Sequence, residues 1–284
     1  MKVKQRYTRI IVVSALFQRP ANRGVRLAGV AALIALSLSW GSSSATARST
    51  ATYPVGIADQ LEPSNMAPPG VRALAGYRRT YVNDFGGTRL PEGWDRFAGI
   101  PGGDPSGRFN FRHVVVAQGL LRLKAYRDPA YANQWVTGGL CQCARPMTYG
   151  AYFVRSRVTG PGVNSVELLW PYNNTWPPEI DFNEDLSHLN LTTGSVHWTL
   201  HENFDMLHIN MTQWHTWGVI WTPTYVLYVV DGHPWHIFSV VADVPHIPMV
   251  LDFEQRTTCP SFATCPTQPL AMLIDWVAEY QRSK

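Results

Sequence analysis

From Tyr81 to the C-terminus the chain is a succession of short β-type runs separated by glycine, proline and asparagine, with almost no helical periodicity. The run Gly119–Tyr126 alternates well, with Leu121, Leu123 and Ala125 on one face of a strand and Arg122 and Lys124 on the other. Many short strands with frequent turns limit the fold to an all-β sandwich or barrel. No internal repeat is strong enough to indicate a propeller.

Turn chemistry in the second half of the chain supports this fold class. A Thr-Pro-Thr segment separates the apolar runs 217–221 and 225–230, and Asp231-Gly232 then turns the chain toward the run 234–241. Asp-Gly between apolar runs is typical of a two-residue hairpin. The run 272–280 predicts a closing strand.

The first 47 residues differ in kind from the rest. They contain seven Lys or Arg and no acid, then a 14-residue apolar run over 27–40, and end in Ala45-Thr-Ala47. This order predicts a secretory signal peptide over 1–47. The mature protein is therefore expected to be secreted and extracellular, and not bound to a membrane once the signal peptide is cleaved. An uncleaved anchor is the alternative, although 14 apolar residues are few for a bilayer span. Residues 48–78, rich in Pro, Ala, Ser and Gly, predict a flexible lead-in, and 79–284 the folded domain.

Removing the leader reverses the sign of the charge. The whole chain carries a net charge of +4, but without the seven basic leader residues 17 basic side chains face 20 acidic ones, a net charge of −3. A slightly acidic protein lacks the basic surface that binds phosphate backbones. Nucleic acid is therefore excluded as a partner, and we expect a monomer.

The four cysteines suit an exported protein with one or two disulfides. Cys259 and Cys265 could close a short loop. Cys141 and Cys143 would point to one face of a strand, which makes them poorly placed to pair with each other. Zinc is the alternative, but C-x-C and C-x₅-C are not the usual C-x₂-C spacing.

The segment Glu179-Ile-Asp181-Phe-Asn-Glu184 carries three carboxylates at an unusual spacing. In a regular strand Glu179 and Asp181 share a face and Glu184 points the other way. A β-bulge at Phe182-Asn183 would add one residue and return Glu184 to the same face. The two Glu carboxyls could then converge to about 5 to 5.5 Å, the separation of retaining glycosidases.

Three acids at close range cannot all ionise, so one keeps its proton. We predict that Glu179 is the ionised nucleophile and that Glu184 is the acid of the first step and the base of the second, while Asp181 orients Glu179. A solvated acidic strand edge is the alternative. The apolar Ile180 and Phe182 argue against it, because they imply a buried opposite face.

Aromatic residues precede the acidic strand. Trp170 and Trp176 flank the loop 171–175, and aromatic rings can stack on the flat C–H faces of sugars. We therefore expect both to line a groove for a polysaccharide. Packing in the core is the alternative for any single aromatic residue of a sandwich.

The chain resembles glycoside hydrolase family 16, in its laminarinase-like branch with a bulged E-x-D-x-x-E motif, over about residues 81–280. Besides that motif, the ordered matches are Asn83-Asp-Phe85 with Trp94, Tyr149-Gly150 with Arg155, Leu168-Leu-Trp170-Pro171, Trp176-Pro177, Trp214-His-Thr-Trp-Gly218 with Trp221-Thr-Pro223 and Asp231-Gly232, and Pro248-Met249 with Gln255. Departures from the family pattern are Phe153, Pro178 and Ile220, none of which is one of the three acids.

The resemblance implies a concanavalin A-like β-jelly-roll sandwich of two curved antiparallel sheets, with residues 79–284 as the catalytic domain. It assigns Glu179, Asp181 and Glu184 as nucleophile, assisting acid and acid/base. It implies that Trp176, His197 and Gln255 bind substrate, with Gln255 facing the groove. A hydrogen-bonded strand histidine without contact to sugar is the alternative for His197.

The same resemblance implies a retaining endo-β-glycan hydrolase that acts by double displacement and needs no cofactor. We expect β-1,3-glucan as substrate; mixed-linkage glucan, galactan, transglycosylation and non-catalytic carbohydrate binding are the alternatives. Asp275 matches a position that binds structural calcium in some members. A glycan on the Asn173 sequon would sit beside the groove, so we predict that the native protein lacks one there, consistent with a bacterial secretory route.

Overall fold

The structure is a computed structural model that describes residues 52–199, 201–260 and 263–283. The predicted signal peptide over 1–47 lies outside the described residues. Among the residues that are described, no helix is long and apolar enough to cross a membrane.

Strands dominate the described residues, and they are β1 Ile57–Ala58, β2 Met66–Ala67, β3 Tyr77–Asn83, β4 Asp95–Arg96, β5 Val114–Ala117, β6 Leu120–Asp128, β7 Gln134–Val136, β8 Gly139–Cys141, β9 Gly150–Val158, β10 Asn164–Pro171, β11 Glu179–Glu184, β12 Thr192–Trp198, β13 His201–Leu207, β14 His215–Trp221, β15 Val226–Val230, β16 His233–Phe238, β17 Met249–Arg256 and β18 Leu270–Arg282. Single 3₁₀ turns lie at Phe111–His113, Pro129–Tyr131 and Val241–Asp243.

Two large antiparallel sheets form the domain. The seven-stranded sheet has the order β13-β12-β11-β10-β17-β8-β4, and the nine-stranded sheet runs β16-β15-β14-β9-β18-β6-β5, with β3 beside β18 and β7 beside β6. The long β18 pairs with β9 along one side and with β6 and then β3 along the other. The predicted all-β sandwich of antiparallel sheets is confirmed.

The core lies between the sheets, and both contribute fully buried apolar side chains to it. Leu121 and Leu123 of β6 meet a cluster that includes Ile180 and Phe182 of β11 and Trp217 of β14. Burying one such side chain contributes about 1.5–3 kcal/mol. We call the face of the seven-stranded sheet that packs on this core its inner face, and the opposite one its outer face.

Local patterns placed several elements correctly. Leu121, Leu123 and Ala125 are fully buried, whereas Arg122 and Lys124 between them are half-exposed, as the alternation predicts. In the turn between β15 and β16, Asp231 and Gly232 both have positive φ (47° and 80°), the signature of a type I′ hairpin.

Residues 52–78 differ from the flexible lead-in that their composition predicts. β1 pairs with β2, and side chains of the nine-stranded sheet bind backbone carbonyls of the segment. Trp276 Nε1 donates to Met66 O (2.8 Å), Tyr280 OH to Gly70 O (2.8 Å) and Thr216 Oγ1 to Val55 O (2.7 Å). Composition misses this anchoring because the acceptors are main-chain atoms, which any residue supplies.

The cysteines form two disulfides, Cys259–Cys265 and Cys141–Cys143. The sequence already suggested that Cys259 and Cys265 pair. The expectation that Cys141 and Cys143 are poorly placed to pair is wrong. β8 ends at Cys141 and a turn follows, so the strand alternation that separates neighbouring thiols no longer applies at Cys143. Their Cα atoms are 5.0 Å apart, within the usual range for a disulfide.

Candidate active site

Strand β11 contains one residue more than its neighbour between two of its acids. Glu179, Asp181 and Glu184 face alternate residues of β12, namely His197, Ser195 and Thr193. The β10 register shifts at the same point. Side chains opposite each other in an antiparallel pair point to the same face, so the three carboxylates all lie on the outer face. The bulge is where the spacing predicts it.

The opposite side of the same strand is part of the core. Ile180 and Phe182 are fully buried between the sheets. Glu179 and Asp181 are 0% and 1% exposed, whereas Glu184 is half-buried. A solvated acidic edge therefore does not describe this strand, and Glu184 is the most accessible of the three carboxylates.

The indole of Trp176 holds the first acid. Trp176 Nε1 donates a hydrogen bond to Glu179 Oε2 over 2.7 Å, and its ring centroid lies 6.1 Å from that of His197. The peptide bonds before Pro177 and Pro178 are both cis in this short connection to β11. A half-buried indole thus forms one side of the site directly beside Glu179.

Asp181 is held by two side chains of β12. Ser195 Oγ and His197 Nε2 each lie 2.8 Å from Asp181 Oδ2, and Glu202 of β13 is 3.6 Å from His197 Nε2. Burial lowers the pKa of His197, but the hydrogen bond and charge of Asp181, followed by the charges of Glu179 and Glu202, raise this pKa to about 9. At neutral pH His197 is therefore an imidazolium that donates to Asp181.

This group also contains potential metal ligands. One ligand atom each from Glu179, Asp181 and His197 lie within 4.8 Å of one another. A protonated imidazole offers its Nε2 hydrogen to Asp181 instead of a lone pair to a metal ion. The arrangement is that of a cation compensating buried carboxylates.

Glu184 is anchored through its side chain and its backbone. Asn164 Nδ2 donates to Glu184 Oε1 (2.7 Å), and the Glu184 amide donates to Thr192 Oγ1 (3.1 Å). Thr193 Oγ1 donates to the Glu184 carbonyl (3.3 Å). These contacts fix the direction in which the carboxyl leaves the strand.

The two other residues expected to bind substrate lie on different faces. Trp170 is opposite Val250 on β17, is half-exposed on the outer face, and donates through Nε1 to Asn174 Oδ1 (2.8 Å). Gln255 is fully buried on the inner face, where its amide lies 3.1 Å from Ser165 Oγ and contacts backbone groups of the nine-stranded sheet. The expectation that Gln255 faces the groove is therefore not met, because its register with Ser165 turns it inward.

Sequence reasoning missed three neighbours of the acids. Ser195 and Asn164 have no distinguishing local pattern, and their roles depend on cross-strand register. Phe204 of β13 lies opposite Ser195 and is 45% exposed. Its neighbour Asp205 points the other way, toward His236 of β16 (3.3 Å), so Phe204 lies on the outer face in the same row as Asp181.

Asp275, the position expected to bind calcium, lies in β18, remote in the topology from β11. It is fully buried, and its Oδ2 accepts a hydrogen bond from the Ser64 amide (3.1 Å). Its Oδ1 has no hydrogen-bond partner within the described part of the chain, and the Glu62 and Asp84 carboxylates are close enough to interact with it electrostatically. Oxygen donors of this kind fit a calcium ion. The calcium itself stays a prediction.

Comparisons with known proteins show the family and the fold of the chain. A family model described as "Glycosyl hydrolases family 16" matches residues 107–259, just over half of the chain. No curated protein matches the chain in sequence.

Solved structures share the fold at low identity. The catalytic domain of an endo-1,3-β-glucanase (laminarinase) from Thermotoga petrophila RKU-1 is 18% identical, with a TM-score of 0.66 over 73% of this chain and 99% of that one. The laminarinase from Rhodothermus marinus is 19% identical, with a TM-score of 0.66 over 73% and 98%. The endo-β-1,3-glucanase from Pyrococcus furiosus is 19% identical, with a TM-score of 0.65 over 73% and 95%. The predicted jelly-roll sandwich is thereby confirmed.

Proposed function

We propose that this chain, which belongs to the glycosyl hydrolases family 16, is a secreted endo-β-glycan hydrolase that cleaves β-1,3-glucan with retention of configuration. The three solved enzymes compared above are named laminarinases or endo-1,3-β-glucanases, which supports β-1,3-glucan as the substrate.

The observation that carries the proposal is the bulge in β11. It brings Glu179, Asp181 and Glu184 to one face of the sheet, with the more accessible Glu184 at one end. Two carboxyl groups on one face are the minimum that double displacement needs. Binding of sugar by a lectin on the same fold would not require a third acid, Asp181, that is hydrogen-bonded to His197.

In the first step the Glu179 carboxylate attacks the anomeric carbon while Glu184 gives its proton to the glycosidic oxygen. The C–O bond to the leaving sugar breaks and a glycosyl ester on Glu179 forms. In the second step Glu184 takes a proton from water, the oxygen attacks the same carbon, and Glu179 is released. Two inversions give net retention.

Neighbouring groups assist each acid. The Trp176 indole N–H fixes the orientation of Glu179. The His197 imidazolium donates to Asp181 next to Glu179, and a cation in this position reduces the repulsion that a nucleophilic carboxylate would otherwise meet there. Asn164 orients the carboxyl of Glu184.

Nucleophile and acid/base can be assigned by chemical rescue. Glu179→Ala and Glu184→Ala would be assayed on laminarin and on an aryl β-glucoside, with and without azide. We expect both to lose at least about 100-fold in kcat on laminarin. Azide should yield an α-glycosyl azide with Glu179→Ala, because it replaces the nucleophile directly, and a β-glycosyl azide with Glu184→Ala, because it attacks the intermediate.

Wild-type reducing-end release from a panel of laminarin, mixed-linkage glucan and agarose tests the substrate. The anomer first formed, followed by proton NMR, tests retention. If the wild type is inert and binds laminarin as tightly as the Glu179→Gln variant does, the proposed enzymatic function is rejected. The chain would then be a carbohydrate-binding protein. Inverted product would reject double displacement.

Secretion through the 1–47 leader belongs to the same proposal, and N-terminal sequencing of the exported protein tests it. We also retain the prediction that Asn173, which is exposed in the loop after Trp170, carries no glycan in the native protein. A glycopeptide at Asn173 from the natural source would contradict it.

A further inference from the structure

A chain of buried polar side chains lies on the inner face directly behind the bulge, where apolar packing would be expected. Its members come from four strands: Ser156 of β9, Glu167 of β10, Asn183 of β11 and Thr192 of β12. All four are at most 2% exposed. None of them reaches the outer face, so the chemistry proposed above does not use them.

Hydrogen bonds link these side chains in series. Ser156 Oγ donates to the Glu167 carboxyl, and the Asn183 side chain is also hydrogen-bonded to Glu167. Thr192 Oγ1 donates to Asn183 Oδ1 (2.7 Å) and accepts from the backbone amide of Glu184 (3.1 Å). The series therefore runs from the nine-stranded sheet to the main chain of Glu184.

The series ends at the backbone amide of Glu184, which lies at the bulge, where the pairing of the strand is interrupted. A bulge interrupts the ladder hydrogen bonds, and a buried backbone amide left without a partner costs about 1–3 kcal/mol. Between Asp181 and Glu184 the β11–β12 register is shifted, and the Thr192 hydroxyl supplies the acceptor for the Glu184 amide. The Thr192 hydroxyl is itself oriented by Asn183, and Asn183 by Glu167.

We propose that Glu167, Asn183 and Thr192 are positioning residues that fix the backbone of the bulge and thereby aim Glu184. The inference rests on the acid/base role proposed for Glu184. A strand with one extra residue can place that residue at more than one position, and each slip would turn Glu184 away from the other acids. A buried polar network that links neighbouring strands favours one register where an apolar contact would tolerate several.

The protonation state of Glu167 fits this role. Burial raises its pKa to about 8, although the hydrogen bonds from Ser156 and Asn183 lower it. Below that pH the carboxyl is neutral, so the network carries no buried charge next to the core.

Thr192→Val tests the proposal, because it removes the hydroxyl and keeps the shape. Thr216→Val is the matched control: it removes another fully buried hydroxyl that binds a backbone carbonyl (2.7 Å), but on the nine-stranded sheet. We expect Thr192→Val to lower kcat on laminarin about tenfold or more with KM nearly unchanged. Formation of the glycosyl-enzyme from an aryl glucoside with a good leaving group should fall less than threefold, since that step needs little acid assistance.

The double variant Glu167→Leu/Asn183→Met separates positioning from stability. Replacing a buried polar pair by apolar side chains is often neutral or stabilising. We expect unchanged or higher thermal stability together with the same selective loss of kcat. Thr192→Ser, which keeps the hydroxyl, should retain most of the activity.

Hydrogen exchange of a peptide covering 183–185 gives a readout independent of turnover. We expect the Glu184 amide to exchange at least about tenfold faster in Thr192→Val than in Thr216→Val. Equal exchange and equal kcat in these two variants, or full activity of the double variant, would overturn the inference. A wild type that is inert on every glycan rejects the proposed function instead, while the exchange experiment still decides whether the network holds the bulge.

Discussion

Replacing His197 by Gln should shift the pH dependence of activity, because it removes the cation among the acids. His197 Nε2 lies 2.8 Å from Asp181 Oδ2, and the charges of Glu179 and Glu202 also act on it. Together they raise the pKa of His197 from 6.5 to about 9 in spite of burial. At 1.36 kcal/mol per pKa unit, this is about 3 kcal/mol of net stabilisation of the imidazolium.

Electrostatic coupling between two sites is reciprocal. The His197 imidazolium therefore stabilises the ionised form of each carboxylate by the same free energy with which that carboxylate stabilises the imidazolium. Asp181 takes the largest share, and Glu179 comes next. We therefore expect the acid limb of kcat/KM, which follows ionisation of the nucleophile, to move up by about one pH unit in His197→Gln. At pH 7, above the acid limb, kcat/KM should change less than at pH 4.

The assay is initial-rate hydrolysis of soluble laminarin at low substrate concentration from pH 3 to 9. Glu202→Gln is the control, since this more exposed carboxylate is 3.6 Å from His197 and contributes least, and it should leave the acid limb nearly in place. An acid limb in His197→Gln that coincides with that of the wild type, or that moves to lower pH, would refute the electrostatic role of His197.

Three further predictions concern other parts of the molecule. Burial raises the pKa of Glu167 from 4.5 to about 8, so between these pH values the folded state binds a proton that the unfolded chain has lost. In chemical denaturation, the free energy of unfolding of Glu167→Gln should therefore rise by a few kcal/mol relative to that of the wild type between pH 5 and pH 8, and the difference should stay constant above pH 8. A difference that does not depend on pH would contradict this. Phe204→Ala should raise KM about tenfold for long glucan oligosaccharides but not for a trisaccharide. The control Phe111→Ala removes a similarly exposed ring in a 3₁₀ turn and should change neither KM. Equal effects of Phe204→Ala on both substrates would exclude stacking of sugar on Phe204. Removing the Cys259–Cys265 disulfide by double Ser substitution should lower the free energy of unfolding by about 2 kcal/mol, because the loop it closes is short, and an unchanged denaturation midpoint would show that the bond does not stabilise the fold.

The sequence was sufficient for features that depend on local periodicity. Alternation identified the buried face of β6, and Asp231-Gly232 identified a hairpin. The spacing of Glu179, Asp181 and Glu184 required a bulge if the three were to act together, and the apolar residues between them indicated which face was buried. All of these are relations between residues a few positions apart.

Tertiary structure decided whatever depends on pairing between distant segments. Asn164 reaches Glu184, and Thr192 reaches Asn183, only because β10, β11 and β12 adopt one particular register. The register between β10 and β17 likewise turns Gln255 into the core. Anchoring of residues 52–78 depends on side chains such as Trp276, about 210 positions away in sequence. A one-residue change in register moves a side chain to the other face of a sheet, and no local pattern encodes that choice, because it is fixed by the packing of both sheets at once.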